Sequence, residues 1–229
     1  MENSTVEFAL LGQNSLAFLL RWAHLLAGVA WVGLLYYFNF IQGEYFKEAD
    51  ARAKSDMIQK MVPKALWWFR WAAIFTLLSG YSLLHIRGLS GLGIMIGVTM
   101  GSIMFLNVWF IIWPNQKIVI ASAKQVAGGG EALPGAAAAL GKAGLASRTN
   151  TLFSVPMLFF MASSVHLGGQ LQTPIHSSSV ISLAVIFGLI AALALNGVFG
   201  KTGPITSVKG VIASGFVLTA VLYLLVELL

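Results

Sequence analysis

The chain carries four histidines, His24, His85, His166 and His176, and no cysteine. Without thiols, disulfides, thiolate metal sites, iron–sulfur clusters and covalently attached c-type haem are excluded, which leaves imidazole, carboxylate and thioether as ligands. Two imidazoles brought from different helices to one level can ligate a flat macrocycle between them. A non-covalent b-type haem asks for that arrangement together with an apolar slot and cations for its propionates. His24 and His166 are the candidate axial pair for the haem iron, with His85 a weaker candidate ligand. Gly28, one helical turn from His24, removes side-chain bulk from the same face. Arg21, one turn the other way, and Arg87 are the candidate propionate partners. For each histidine a plain hydrogen bond to a neighbouring helix, worth about 0.6–2 kcal/mol, is the competing role. That role competes best at His85 and His176, which fall near or in the aqueous interface. His24 lies deeper, where an ionisable group inside a bilayer points to function by default.

The elements that must position these residues are membrane helices. Of the 229 residues, 58% are hydrophobic and 10% charged, against roughly 25% charged in a soluble domain. The mean hydropathy is +0.82. No strand-like alternation occurs, and lipid tolerates only helices or closed barrels. The fold class is therefore an all-α integral membrane protein in a single domain spanning 1–229. Six apolar runs of spanning length are expected as helices at 16–41, 64–86, 92–113, 151–170, 178–199 and 207–228. Ser15 before the first run and Thr206 or Ser207 before the last are candidate N-caps, while Pro63 and Pro114 are expected to open the second helix and close the third. The loops between runs, at 42–63, 114–150 and 200–206, hold with their flanks eleven Lys and Arg, against Arg87 alone on the other face. The positive-inside rule then puts these loops in the cytoplasm of a bacterial inner membrane and both termini outside. Orientation also accounts for the net charge of +6 without nucleic acid. The residues before the first run hold Glu2 and Glu7 and no base, so no secretory signal is expected there.

Several features carry less chemistry. Gly93, Gly97 and Gly101 make a smooth face for helix contact. Gly135 to Lys142 resembles a phosphate-binding loop only faintly, with Ala143 where Ser or Thr should stand, and is rejected as one. Methionines 95, 100, 104, 157 and 161 read as gap-filling core residues. Copper handling by these methionines with His24, His85 and His166 is a weaker alternative. Trp67, Trp68, Trp109 and Trp113 suit an aromatic belt, with Arg70 as an anchor that can snorkel or stack.

Four ordered blocks then bring a family into view. The first is Arg21-Trp22-Ala23-His24, continuing through Gly28, Trp31, Gly33 and Tyr36-Tyr37-Phe38. The second is Trp68-Phe69-Arg70-Trp71 with Leu78-Ser79-Gly80. The third joins Asn107-Val108-Trp109 to Trp113-Pro114-Asn115-Gln116-Lys117. The fourth is Ser147-Arg148-Thr149-Asn150-Thr151 followed by Pro156, Met161, Ser163 and His166. Together they resemble the membrane-embedded N-terminal domain of the bacterial membrane-bound urate oxidase (urate hydroxylase) family. The resemblance implies a haem-associated redox membrane domain whose longer members end in a c-type cytochrome. His24 and His166 match histidines of the family's first and fourth helices, whereas His85 has no counterpart and a histidine expected near Thr149 is absent. With no cysteine and no cytochrome domain here, the resemblance does not carry the oxidation of urate with it.

The leading expectation is a haem-b membrane protein that passes electrons between the membrane and an outside partner, a cytochrome or a respiratory complex. Oxidation of a small substrate is subsidiary. The alternative is a cofactor-free accessory or assembly subunit of a larger membrane complex. Expected partners are lipid and a membrane protein or cytochrome, with a second copy of the chain as a further option.

Overall fold

The computed structural model describes residues 14–229; Glu2 and Glu7 lie outside them. Six long helices account for most of these residues: α1 (Ser15–Glu48), α2 (Ala51–Arg87), α3 (Leu92–Ala127), α4 (Ala136–His166), α5 (Val180–Phe199) and α6 (Val208–Leu228). Within α1 and α3 the backbone widens to single π-helical stretches, Tyr37–Gln42 and Asn107–Ile112.

Contacts between helices fix their directions. Phe38 of α1 meets Phe69 of α2, and Arg70 of α2 meets Trp113 of α3. Gly97 and Gly101 of α3 face Met161 and Met157 of α4. α5 returns along α4 at Gly197 against Thr149, while α6 runs parallel to α4 through Gly215–Val155 and Phe159–Tyr223. Successive helices therefore alternate in direction. His85, His166 and His176 gather at one end, and Lys47, Lys124, Lys142 and Lys201 at the other. These are called below the histidine end and the basic end.

Two of the expected loops are corrected. The loop placed at 42–63 contracts to a two-residue connector, because α1 continues to Glu48 and α2 begins at Ala51. Asp50 caps α2 by accepting from the Ala53 N–H at 2.8 Å. Pro63, expected to open the second helix, lies inside α2. The loop placed at 114–150 contracts to 128–135, since α3 runs through Pro114 to Ala127 and α4 starts at Ala136. Both errors have one cause: apolar content marks a spanning stretch, whereas Ala-rich and charged segments continue a helix beyond it by intrinsic propensity. Pro114 is tolerated directly after the π stretch of α3, a common site of helix irregularity. At the other boundaries, α4 ends at His166 instead of 170, and α1 is preceded by Asn14 instead of a Ser15 cap. Ser207 caps α6 as expected, accepting from the Gly210 N–H at 3.0 Å.

By length and composition α1, α3, α5 and α6 are apolar enough to cross a membrane. α4 is the most enclosed helix, touching α1, α3, α5 and α6. It therefore carries Thr149, Asn150, Thr151, Ser154 and Ser163 as buried polar residues that lipid would not accept. The methionines fill this core as expected, with Met100 and Met104 fully buried among α3 and its neighbours. At the histidine end the α4–α5 connector is stitched to the α2–α3 connector. Leu92 N–H donates to the Thr173 carbonyl at 2.8 Å and Ile175 N–H to that of Ser90 at 2.9 Å. Gly88 closes α2 in the left-handed conformation, φ 58°.

Candidate functional site

His24 faces α2. Its Nδ1 lies 2.9 Å from the Thr76 carbonyl oxygen and 3.1 Å from Ser79 Oγ. A carbonyl only accepts, so Nδ1 carries the proton, and in the neutral ring Nε2 keeps its lone pair. The ring is pressed onto Gly80, where a Cβ would stand 2.9 Å from His24 Cε1, so no larger residue fits without moving the imidazole. Gly28 also faces α2, with Thr76 Cγ2 at 4.0 Å from its would-be Cβ, so its immediate effect is to let α2 approach. Between α1 and α2, Leu20, Ala23, Leu26, Phe75, Leu78 and Ser79 line an open apolar cleft of about 480 Å³, to whose wall His24 itself does not contribute.

The remaining candidates lie around the same end. His85 and Arg87 are exposed in the last turn of α2, His166 is exposed at the end of α4, and His176 is exposed in the α4–α5 connector. Arg21 is exposed on α1. Height along the bundle relates His24 to His166. Tyr36 OH and Ser154 Oγ, 2.9 Å apart, join α1 to α4. Each histidine lies twelve residues from that contact toward the histidine end, about 18 Å along its helix. The pair thus shares a level, although His24 turns to α2 and no contact joins the two. Among the described residues no three His, Asp or Glu side chains converge as a metal site, which leaves copper handling without support from a cluster.

A second polar region, near the basic end, was not singled out as a site in the sequence. There Asn107 Nδ2 donates to Asn150 Oδ1 at 2.8 Å, and Asn150 Nδ2 to the Met104 carbonyl at 2.9 Å. Asn39 Nδ2 donates to Ser147 Oγ at 2.8 Å and to the Leu35 carbonyl at 2.9 Å. Arg70 stacks on Trp113, 3.4 Å from guanidinium carbon to ring centre, and donates through Nε to the Leu66 carbonyl. Gln42 Oε1 and Arg148 Nη1 are buried there without a hydrogen-bond partner, as are the indole N–H groups of Trp31 and Trp109. Burial pulls the proton affinity of Arg148 down, and the charge of Glu44 opposes it. The π stretches that frame this region could not be read from apolar periodicity; the asparagines within helical runs were the available signal.

Residues 85–225 match the urate oxidase N-terminal family model. The chain belongs to the urate oxidase N-terminal family. No curated protein and no solved structure matches it. Membership covers α3 to α6 with His85, Arg87 and His166. The first helix lies before the family match, so His24 rests on its own geometry and on the resemblance of its surrounding residues. The donor set fits axial ligation by a b-type haem at His24, because Nδ1–H is already committed to a backbone carbonyl, the partner that metal-ligating histidines commonly take. His166, exposed and at the same level, is free of any such orienting bond among the described residues.

Proposed function

We propose that this urate oxidase N-terminal family member is a six-span membrane redox domain. It binds b-type haem at its histidine end and passes electrons to a partner on that side. The observation that carries the reading is the His24 Nδ1–H bond to the Thr76 carbonyl, which fixes the tautomer and leaves Nε2 as a ligand atom. His24 and His166 would hold the iron from α1 and α4, with Arg21 and Arg87 near enough to that end to neutralise propionates. When bound, the haem would supply reversible one-electron chemistry. Thr76 and Ser79 hold the imidazole orientation, and Gly80 sets how closely α2 supports the ring. The eleven basic residues in and flanking the connectors of the opposite end support a cytoplasmic position for it by the positive-inside rule.

The test is an absorption spectrum of the purified chain expressed with ample haem. A Soret band with the split visible bands of a low-spin b-type centre is expected, and His24→Ala should abolish it while helicity is retained. A colourless wild-type protein would end the reading. A second reading, a cofactor-free subunit of a larger complex, is favoured by the apolar groove along α1 and α2. Trp67, Trp68 and Phe75 stand exposed there, at 48%, 63% and 59%. Co-purification with a redox complex and no haem would select it.

A further inference from the structure

The tryptophans of α2 and α3 toward the basic end have two cations set among them. Arg70 stacks on Trp113, its guanidinium carbon 3.4 Å from the ring centre, and Lys117 Nζ stands 5.7 Å from the centre of the same ring. The two charges are thus at most about 9 Å apart, near enough for both to act on one anion. No carboxylate answers either of them, since the ion pairs among the described residues are Lys47–Glu44 and Lys60–Asp56. Arg70 is half-buried and Lys117 exposed. The Arg70 Nε–H donates to the Leu66 carbonyl at 3.1 Å, while its two Nη groups hydrogen bond to no described residue. Their height is that of a bilayer boundary. From the histidine end, Trp113 is twenty-one residues beyond Leu92 on α3 and Arg70 seventeen residues from Arg87 on α2. At 1.5 Å per residue these are about 32 and 26 Å, against roughly 30 Å of hydrocarbon. Trp67, Trp68 and Trp71 stand exposed beside the pair, and Trp71 meets Trp109 edge-on at 6.4 Å.

We propose that Arg70 and Lys117 hold the headgroup of an anionic phospholipid, of the phosphatidylglycerol kind, in the leaflet at the basic end. Stacking on Trp113 and the bond to Leu66 fix the guanidinium, and its free Nη fork suits phosphate oxygens. Lys117, one turn further toward the basic end, adds a second positive charge, which a net-negative headgroup balances and a zwitterionic choline headgroup does not. The exposed indoles supply apolar surface for the glycerol and upper acyl chains, and Trp67, Trp68 and Trp71 also line the cleft of about 480 Å³ between α1 and α2. A soluble anion could use the fork but not these rings. The site rests on the chain spanning a bilayer and is independent of haem at the other end.

Quenching of tryptophan fluorescence by brominated lipids tests it, with the full chain reconstituted in phosphatidylcholine vesicles. Brominated phosphatidylglycerol, titrated into the vesicles, is expected to quench with a relative binding constant at least tenfold above that of brominated phosphatidylcholine. Arg70→Gln should lower that preference about fivefold and Lys117→Gln by a similar or smaller factor, the worth of one basic residue near a membrane surface. Lys142→Gln removes a charge from the same end but away from the rings, and should leave the preference within about twofold of the unaltered chain, a far residue being screened by salt. Should Arg70→Gln fail to fold, Lys117→Gln set against Lys142→Gln still decides. Equal quenching by the two lipids would give this face to a protein or a second copy of the chain and overturn the proposal. So would a preference that survives both Arg70→Gln and Lys117→Gln, or one that Lys142→Gln lowers as much as they do, the mark of a general surface potential. Inorganic phosphate in tenfold excess should not relieve the quenching; relief would mark a site for a soluble anion and overturn the lipid.

Discussion

The two ends of the bundle are built on opposite plans. From mid-bundle toward the basic end, side-chain hydrogen bonds tie α4 to its neighbours at Asn107–Asn150, Asn39–Ser147 and Tyr36–Ser154. At the histidine end, α1 leans on α2, with Leu25, Leu26 and Val29 exposed and His24 its polar link to Thr76 and Ser79. One part is sewn together by polar groups inside a core; the other leaves apolar surface exposed around a single oriented imidazole. The difference teaches that polar residues inside the helices serve two purposes here, locking α4 into its neighbours and orienting one imidazole.

The contrast can be broken by substitution. The largest loss of stability is expected from Asn150→Leu, which strands Asn107 Nδ2 in a fully buried place and takes one of its donors from the Met104 carbonyl. Thermal or denaturant unfolding in detergent should register a loss of about 2–4 kcal/mol; a loss below 0.5 kcal/mol, by the same approximate reckoning, would deny the locking role. Gly80→Val pushes a side chain into the His24 ring. Its stability cost should be smaller, about 1–3 kcal/mol, while haem retention on purification should fall at least tenfold. An unchanged Soret band would show that the ring is not held from α2. Arg70→Leu removes the stack on Trp113, and its effect on unfolding should be about 1 kcal/mol. Smallest in energy, Ser79→Ala should leave the melting midpoint nearly unchanged yet shift the haem reduction potential, because Thr76 still orients the ring and one polar neighbour is gone. Hydrogen exchange sharpens the same comparison, with amides of residues 16–30 expected to exchange ahead of those at 147–157.

Much of this was legible in the sequence, and what was not had a physical reason. Six helices, their alternation and the gathering of histidines at one end follow from apolar run length and from the placement of Lys and Arg. The extension of α4 back to Ala136 was missed as helix because hydropathy falls where a helix leaves the membrane, although its hydrogen bonds continue. His24 could be singled out by its depth. Its partners could not, since Thr76, Ser79 and Gly80 lie more than fifty residues away and only packing brings them to the ring. The unpartnered atoms of Gln42 and Arg148 were likewise invisible, because lacking a partner is a property of the assembled interface.

The stitching of the α2–α3 connector to the α4–α5 connector has a mechanical consequence. Through the Leu92–Thr173 and Ile175–Ser90 bonds the ends of four helices share one backbone clasp. A protein landing on that surface meets a stiff plate instead of two independent loops. Any force it exerts is spread over α2, α3, α4 and α5 together, while α1 and α6 lie outside the clasp.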